Sequence, residues 1–96
     1  MIINFKSQAT QDIYDGIGSK QARKIPATAW KTAERKLDMI NAAVILSDLK
    51  VPPGNRLEAL KGDLQGFYSI RVNDQYRIIF RFQDSNAYDV EITDYH

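Results

Sequence analysis

Two groups of residues in the second half of the chain have side chains suited to phosphate chemistry. The first group is a set of arginines on segments of alternating sequence: Arg71, Arg77 and Arg81. A planar guanidinium group can donate two parallel hydrogen bonds to phosphate oxygens. The second group is the run Asp94, Tyr95 and His96, which contains the one histidine of the chain. Histidine has an ordinary pKa near neutrality, so His96 is a candidate for proton transfer.

These side chains match the needs of phosphodiester cleavage without a metal. Such cleavage requires a base for the ribose 2′-hydroxyl, cations for the charge on the phosphorane oxygens and an acid for the departing 5′-oxygen. Lys61, Arg77 and His96 can divide these tasks. Two ordinary explanations compete with this one, because arginines on a strand often only face water and chain ends are often frayed.

The motifs of other enzyme classes are absent from the sequence. There is no cysteine and only one histidine, which leaves no usual ligand set for a metal ion. There is also no glycine-rich phosphate loop, no dinucleotide fingerprint and no Ser/His/Asp order. We therefore predict neither a metal nor a cofactor.

Length and composition predict one small cytoplasmic domain that spans residues 1–96. A chain of 96 residues has room for one domain, and the lack of cysteine suits a reducing compartment. The sequence shows no signal segment and no apolar run of the roughly 20 residues that span a bilayer, so we expect no membrane contact. The net charge is +1, but residues 1–36 hold seven basic and three acidic side chains. This half is a possible polyanion-binding surface, although solvated lysines are the more common case.

Three elements are predicted in the first half of the chain. Residues 2–5 are apolar and typical of a strand, and Ser7 is a plausible N-cap for a short helix over residues 8–14. Pro26 stands where the first turn of a second helix tolerates proline. In that helix, apolar residues recur at steps of three and four and form one apolar face: Trp30, Ala33, Leu37, Ile40 and Val44.

The second half of the chain alternates with a period of two, which is typical of antiparallel strands. A loop over residues 51–55 precedes it, because two prolines and a glycine oppose both helix and central strand. A short strand is expected within residues 56–60. Turns at 73–74 and 84–86 then separate three strands, whose core-facing residues are predicted to be Tyr68, Ile70 and Val72, then Tyr76, Ile78, Phe80 and Phe82, then Tyr88, Val90 and Ile92.

These elements predict an α+β fold in the order β-α-α-β-β-β-β, in which two helices pack on a three- or four-stranded antiparallel sheet. The helix that begins near Trp30 would cover one face of the sheet. Because alternate residues of a strand point to opposite faces, the other face would carry Arg71, Arg77 and Arg81, all exposed.

Residues 57–96 resemble the HigB toxins of the RelE/ParE superfamily. The matching segments are Leu-Glu-Ala-Leu-Lys-Gly-Asp at 57–63, Gly-Phe-Tyr-Ser-Ile-Arg-Val at 66–72, Tyr-Arg-Ile-Ile-Phe-Arg-Phe at 76–82 and Ala-Tyr-Asp-Val-Glu-Ile-Thr-Asp-Tyr-His at 87–96. They occur in the order and with the spacing of the family, and several motifs together are far more specific than one. The first half of the chain resembles the family more loosely.

The resemblance implies a RelE-like fold and the toxin component of a type II toxin-antitoxin system. It further implies a ribosome-dependent endoribonuclease that cleaves messenger RNA in the decoding site of the 70S ribosome, and a helix-turn-helix antitoxin, HigA, as partner. By the same resemblance, Lys61 would neutralise phosphate and Arg77 would stabilise the transition state. Tyr95 and His96 would orient or protonate the cleaved linkage, and Asp94 would position them.

Glu58 is a departure from the family, which often has histidine at this place in its Leu-His-x-Leu-Lys-Gly motif. A glutamate with a raised pKa can act as a base near neutral pH, but beside Arg56 and Lys61 we expect Glu58 to stay ionised, which leaves the division of acid and base work open. The predicted RNA-contacting residues are Arg56, Glu58, Arg71 and Arg81.

Two other functions remain possible from the sequence. One is a ParE-type toxin that inhibits DNA gyrase without cleaving nucleic acid, and the other is an inactive homologue that only binds the antitoxin. The first shares the fold but has no need of a proton-transfer group such as His96. The second gains some support from Glu58.

Overall fold

The structure, a computed structural model, describes residues 1–94 and has an α+β fold, as predicted. Its helices are α1 (Gln8–Tyr14) and α2 (Trp30–Ala42), and its strands are β1 (Glu58–Ala59), β2 (Tyr68–Arg71), β3 (Tyr76–Gln83) and β4 (Asn86–Asp94). Short 3₁₀ turns occupy much of the connecting chain, including Pro53–Asn55 in the predicted loop. Within these 94 residues, no helix is long and apolar enough to cross a membrane.

Helix α1 begins and ends where the sequence predicts. The Ser7 side chain accepts a hydrogen bond from the Thr10 backbone N–H at 3.2 Å, which is the N-cap interaction. At the other end, Gly16 has φ of 75°, the left-handed conformation that glycine adopts without strain.

Helix α2 covers the core face of the sheet with Ala33, Leu37 and Ile40, which are fully buried. Two details of the prediction are wrong. Pro26 precedes a separate 3₁₀ turn rather than the first turn of α2, and Val44 lies beyond the end of the helix with 64% of its surface exposed. The helix stops because the Asp48 carboxylate accepts hydrogen bonds from the backbone of Val44 and its neighbour, which holds this segment outside the helix.

The sheet has the order β1-β2-β3-β4, with every neighbouring pair antiparallel. The β2–β3 hairpin turns at residues 72–75, where the Asn73 side chain accepts hydrogen bonds from the backbone of Gln75 and Tyr76. The β3–β4 turn consists of Asp84 and Ser85, which both have positive φ. Such a two-residue turn matches the twist of the strands that it joins.

The N-terminal segment is extended and lies parallel to β4, but it pairs at only two isolated positions. Ile2 pairs with Ala87 and Phe5 with Val90. Between these positions, hydrogen bonds of the Asn4 side chain take the place of backbone pairing. Its oxygen accepts a hydrogen bond from the Asp89 backbone N–H at 3.1 Å, and its amide nitrogen donates to the Asp89 carboxylate at 2.8 Å. The predicted opening strand is therefore present as a bridged segment.

A β-bulge interrupts β4 at Asp89, which has φ of 54°. The register pairs Ile79 with Glu91 but Arg81 with Tyr88, so that two residues of β4 lie opposite Phe80. A bulge of this kind reverses the alternation of side chains on one side of it. The core positions of β4 are therefore Ala87, Val90 and Ile92.

A buried polar pair fixes the loop that leads into the sheet. The Lys36 amine, on α2, donates to the side chain of Asn55, whose amide in turn donates to the Leu49 carbonyl oxygen at 3.1 Å. Burial lowers the pKa of Lys36, and the nearby Arg35 and Arg71 lower it further. Because only 7% of its surface is exposed, Lys36 does not contribute to the cationic surface suggested for the first half of the chain.

Candidate nucleic-acid interface

The face of the sheet that points away from α2 carries most of the predicted site. We call it the outer face. Its residues follow from the strand register and from alternation along each strand, and they are Glu58 on β1, Ser69 and Arg71 on β2, Arg77, Ile79 and Arg81 on β3, and Tyr88, Glu91 and Thr93 on β4. As predicted, the three arginines share one face.

Arg71 and Arg77 are direct cross-strand partners, and Thr93 lies on the far side of Arg77. Two guanidinium groups side by side repel each other unless an anion lies between them. Arg71 is partly neutralised by an ion pair with Asp74 in the hairpin turn. This row therefore places two guanidinium groups side by side at one end of the outer face, each with an acidic partner.

Arg77 is buried, with 9% of its surface exposed, so the prediction that it is exposed is wrong. One guanidinium nitrogen donates to the carbonyl oxygens of Arg56 at 2.6 Å and Ser69 at 3.4 Å. The other lies 3.5 Å from the Glu58 carboxylate. The side chain lies on the outer face rather than among the core residues, and these contacts hold it in one orientation.

Arg56 and Glu58 both help to hold Arg77, although in different ways. Arg56 has φ of 48°, and this left-handed conformation accompanies its carbonyl contact to Arg77. Its own side chain is exposed. Glu58 is half exposed, at 52% of its side chain, and stands on the outer face beside the buried guanidinium. The structure thus brings Glu58, which departs from the motif that the sequence resembles, into contact with Arg77, which was predicted to stabilise the transition state.

Arg81 lies at the opposite end of the outer face. Its Nε donates a hydrogen bond to one Asp89 carboxylate oxygen at 2.9 Å, a second guanidinium nitrogen forms an ion pair with the same oxygen at 2.9 Å, and the guanidinium carbon is 5.6 Å from the centre of the Tyr88 ring. Hydrogen bonds from Asn4 and Arg81 lower the pKa of the Asp89 carboxyl. The bulge residue therefore remains charged and fixes the position of Arg81.

Tyr88 is on the outer face, which corrects its predicted place in the core. The alternation in the sequence groups it with Val90, but the bulge at Asp89 shifts the phase between them. The sequence does contain a weak signal for this shift, because aspartate tolerates positive φ better than most residues. Tyr68 and Tyr76, in contrast, pack with the core as predicted.

Lys61 is exposed on the turn that joins β1 to β2. It follows Leu60, whose backbone N–H donates to the Phe67 carbonyl oxygen at 2.8 Å. This places Lys61 just beyond the Arg81 end of the sheet, about four residues or roughly 13 Å along the strands from the Arg77 row. By the strand register, Lys61 therefore lies at the other end of the sheet from Arg77.

Asp94 ends the described part of β4 and pairs with Tyr76, next to the row of Arg77. Its carboxylate accepts a hydrogen bond from the Gln75 side chain at 3.1 Å. Tyr95 and His96, the other predicted members of this group, lie outside the described residues. Among residues 1–94, no three His, Cys, Asp or Glu side chains are grouped closely enough to hold a metal ion.

The fold is similar to that of known bacterial toxins. One chain of the YoeB-YefM toxin-antitoxin complex from Staphylococcus aureus matches with a TM-score of 0.63 at 23% identity, over 100% of this chain and 95% of that one. The YoeB/ParE toxin from Agrobacterium tumefaciens matches with a TM-score of 0.55 at 16% identity, over 94% of both chains. The predicted RelE-like toxin fold is thereby confirmed.

The chain belongs to the family of HigB-like toxins, which are RelE-like toxins of type II toxin-antitoxin systems, and the family model matches residues 3–96. It is 44% identical to Toxin HigB-1 of Vibrio cholerae over 91% of this chain and 90% of that protein. It is also 31% identical to Endoribonuclease HigB of Proteus vulgaris over 100% of both proteins. An antitoxin is therefore its expected class of partner, as the sequence predicted.

Proposed function

We propose that this toxin is a ribosome-dependent endoribonuclease that cleaves translated messenger RNA without a catalytic metal. The observation that carries the proposal is the fixed orientation of Arg77 beside Arg71 on the outer face. A cation that is already oriented stabilises developing negative charge without reorganising during the reaction. The full-length similarity to a protein named as an endoribonuclease supports the same conclusion.

The reaction divides among the residues as follows. The ribose 2′-oxygen attacks the phosphorus, the bond to the 5′-oxygen breaks, and a 2′,3′-cyclic phosphate and a 5′-hydroxyl result. Arg77 binds the phosphorane oxygens, and Glu58, in contact with Arg77, accepts the 2′-proton. His96 gives a proton to the departing 5′-oxygen, Tyr95 orients the linkage, and Asp94 positions these two residues.

The remaining predicted residues bind the RNA rather than react with it. Lys61, Arg56, Arg71 and Arg81 supply positive charge to phosphates along the strand, which is the ordinary way that proteins hold RNA without reading its sequence. The ribosome would present an unpaired, accessible message. The protein would then act in the cytoplasm, where translation occurs, and a HigA-like helix-turn-helix antitoxin would inhibit it.

The direct test is cleavage of a message on purified 70S ribosomes. We expect the protein to cut the message within the codon in the decoding site, to leave a 2′,3′-cyclic phosphate end and to leave the free message intact. A message with a 2′-deoxyribose at the cut position should resist cleavage, because it lacks the attacking oxygen. Intact messages together with inhibited gyrase would identify a ParE-type toxin instead. If the protein neither cleaves messages nor inhibits gyrase, it is an inactive antitoxin-binding homologue.

The absence of a catalytic metal has its own test. A phosphorothioate at the cut linkage binds Mg²⁺ poorly and softer divalent ions better. We expect cleavage of this linkage to be slowed equally with Mg²⁺ alone and after Mn²⁺ is added. Rescue by Mn²⁺ would show that a metal ion contacts the reacting phosphate.

A further inference from the structure

The outer face has an aromatic row at the Arg81 end that the proposed chemistry does not use. Arg81 pairs with Tyr88 on β4. On its other side, Tyr68 pairs with Phe80 at the end of β2. If this register continues by one residue, Phe67 lies opposite Arg81. Leu60 completes the row through its backbone hydrogen bond to Phe67. By register, one aromatic residue therefore lies on each side of Arg81, and the Tyr88 ring contacts it.

Buried apolar side chains lie in this row and next to it, which is unusual on the side of a sheet that faces away from the helices. Ile79 and Leu60 are 4% and 8% exposed, yet neither belongs to the core cluster beneath α2. Phe67 and Tyr88 are half-buried and are also outside that cluster. Strand positions that only face water are usually charged or polar. Exposure to water alone therefore does not explain why these positions are apolar.

Arg81 and Tyr88 are held ready for a flat ligand. Asp89 fixes the guanidinium group through two nitrogens, and Asn4 fixes Asp89 in turn. The Arg81 side chain is still 47% exposed. Because these groups are already ordered, a ligand that stacks on them pays little to immobilise them. A planar base stacks well on both aromatic rings and guanidinium groups.

We propose that the row of Phe67, Arg81 and Tyr88 binds one unstacked nucleobase of the RNA. The inference rests on the proposed nuclease function and adds a base-binding site to it. Arg77 and Arg81 are four residues apart on β3, roughly 13 Å along the strand. An RNA strand whose cleaved phosphate lies at Arg77 would thus place the base of a nearby nucleotide over Arg81 and Tyr88. Stacking accepts every base, so the row positions the message more than it reads sequence.

The test uses the full chain on programmed 70S ribosomes. The message carries a 2′-deoxyribose at the cut position and 2-aminopurine, a fluorescent base, at one nearby position at a time. We expect the wild-type protein to quench 2-aminopurine at one position through stacking. Tyr88→Phe, which keeps a ring, should quench equally, and Tyr88→Leu should not. Tyr14→Leu, which changes a half-buried tyrosine elsewhere, is the matched control and should quench like wild type.

Cleavage gives a second measurement on the same variants. Loss of one stacked base should raise the protein concentration for half-maximal cleavage by roughly 5- to 150-fold in Tyr88→Leu, with little change in the rate at saturation. Phe67→Leu should act in the same direction, and it provides the measurement if Tyr88→Leu does not fold. Equal quenching and cleavage by wild type and both leucine variants would overturn the base-binding site.

The outcomes separate this inference from the function on which it rests. If wild type does not cleave messages on ribosomes, the nuclease proposal fails. If wild type cleaves and Tyr88→Leu cleaves equally well, only the base-binding site fails. If Tyr88→Leu cleaves normally but binds its antitoxin more weakly, the aromatic row is a protein-binding surface and the inference is wrong.

Discussion

Glu58 stands where the HigB motif that this sequence resembles has histidine. It contacts the buried Arg77 at 3.5 Å and is half exposed, so it can reach a phosphate bound by that arginine. If it accepts the 2′-proton, Glu58→Gln should slow cleavage at saturation by roughly 100-fold or more. The melting temperature should change little, because the ion pair is partly solvated.

The matched control for Glu58 is Glu34→Gln, which makes the same change at an exposed position on α2. We further expect Glu58→His to retain activity, since histidine is common at this place in the family. Normal cleavage by Glu58→Gln would show that Glu58 only orients Arg77.

Arg77 should not tolerate replacement by lysine. A lysine keeps the charge but cannot contact two carbonyl oxygens, a carboxylate and a phosphate with a planar fork. We expect Arg77→Lys to lower the single-turnover cleavage rate by roughly 100-fold or more. Arg23→Lys, an exposed position outside the sheet, is the control and should cleave like wild type. Toxicity of Arg77→Ala is less informative, because removal of a buried side chain also weakens folding.

Residue types were enough to select most of the candidate site, since Arg56, Glu58, Arg71, Arg77 and Arg81 all lie on or beside the outer face. They were not enough to predict exposure. Arg77 is buried because Arg56 and Ser69 present carbonyl oxygens to it, and backbone carbonyls carry no signal in the sequence.

At the scale of elements, Asp12 connects α1 to the loop that follows it. Its carboxylate accepts hydrogen bonds from Ser19 at 2.6 Å and from Gln8 at 2.8 Å, and these lower the pKa of Asp12 below 3.8. A carboxyl group with a lowered pKa stabilises the folded state above its unfolded pKa, and this contribution is lost as the pH falls through the folded pKa.

Asp12→Asn should therefore lower the free energy of unfolding at neutral pH, and its difference from wild type should shrink as the pH falls below 3.8. Urea unfolding across this pH range measures the difference. Asp15→Asn, at the exposed C-cap of the same helix, controls for the change in net charge. A difference that is constant with pH would show that the carboxylate charge is not responsible.

The helices and strands were predictable wherever the periodicity of apolar residues was regular. Helix α2 and the β2–β3 hairpin follow this periodicity closely. The prediction failed in β4, where one residue with positive φ, Asp89, moved Tyr88 to the other face. A bulge is invisible to a period-two pattern, because the pattern assumes that one residue always opposes one residue.

At the scale of the whole molecule, the N-terminal segment covers the open edge of β4. Its backbone bonds to Ala87 and Val90, and the Asn4 side chain bonds to Asp89. Deletion of residues 1–6 should lower the melting temperature and cause self-association, because an uncovered edge strand pairs readily with other chains. Light scattering after size-exclusion chromatography measures the association. Ile3→Thr, an exposed position whose backbone pairing is kept, should remain stable and unassociated.

The same segment supports the aromatic row from a distance. Asn4 holds Asp89, and Asp89 holds Arg81 over Tyr88. The α+β order and the composition of the core were readable from the sequence. This link was not, because it joins residues 85 positions apart through a bulge.

The parallel pairing of Ile2 with Ala87 and of Phe5 with Val90 also determines when during synthesis the fold can be completed. Ile2 and Phe5 have no pairing partner until Ala87 and Val90 have been added and have left the ribosome. Every shorter nascent chain lacks the closed sheet edge and the support that Asn4 gives to Asp89. The finished fold, with its outer face in place, therefore becomes available to a ribosome only after residue 90 has left the exit tunnel.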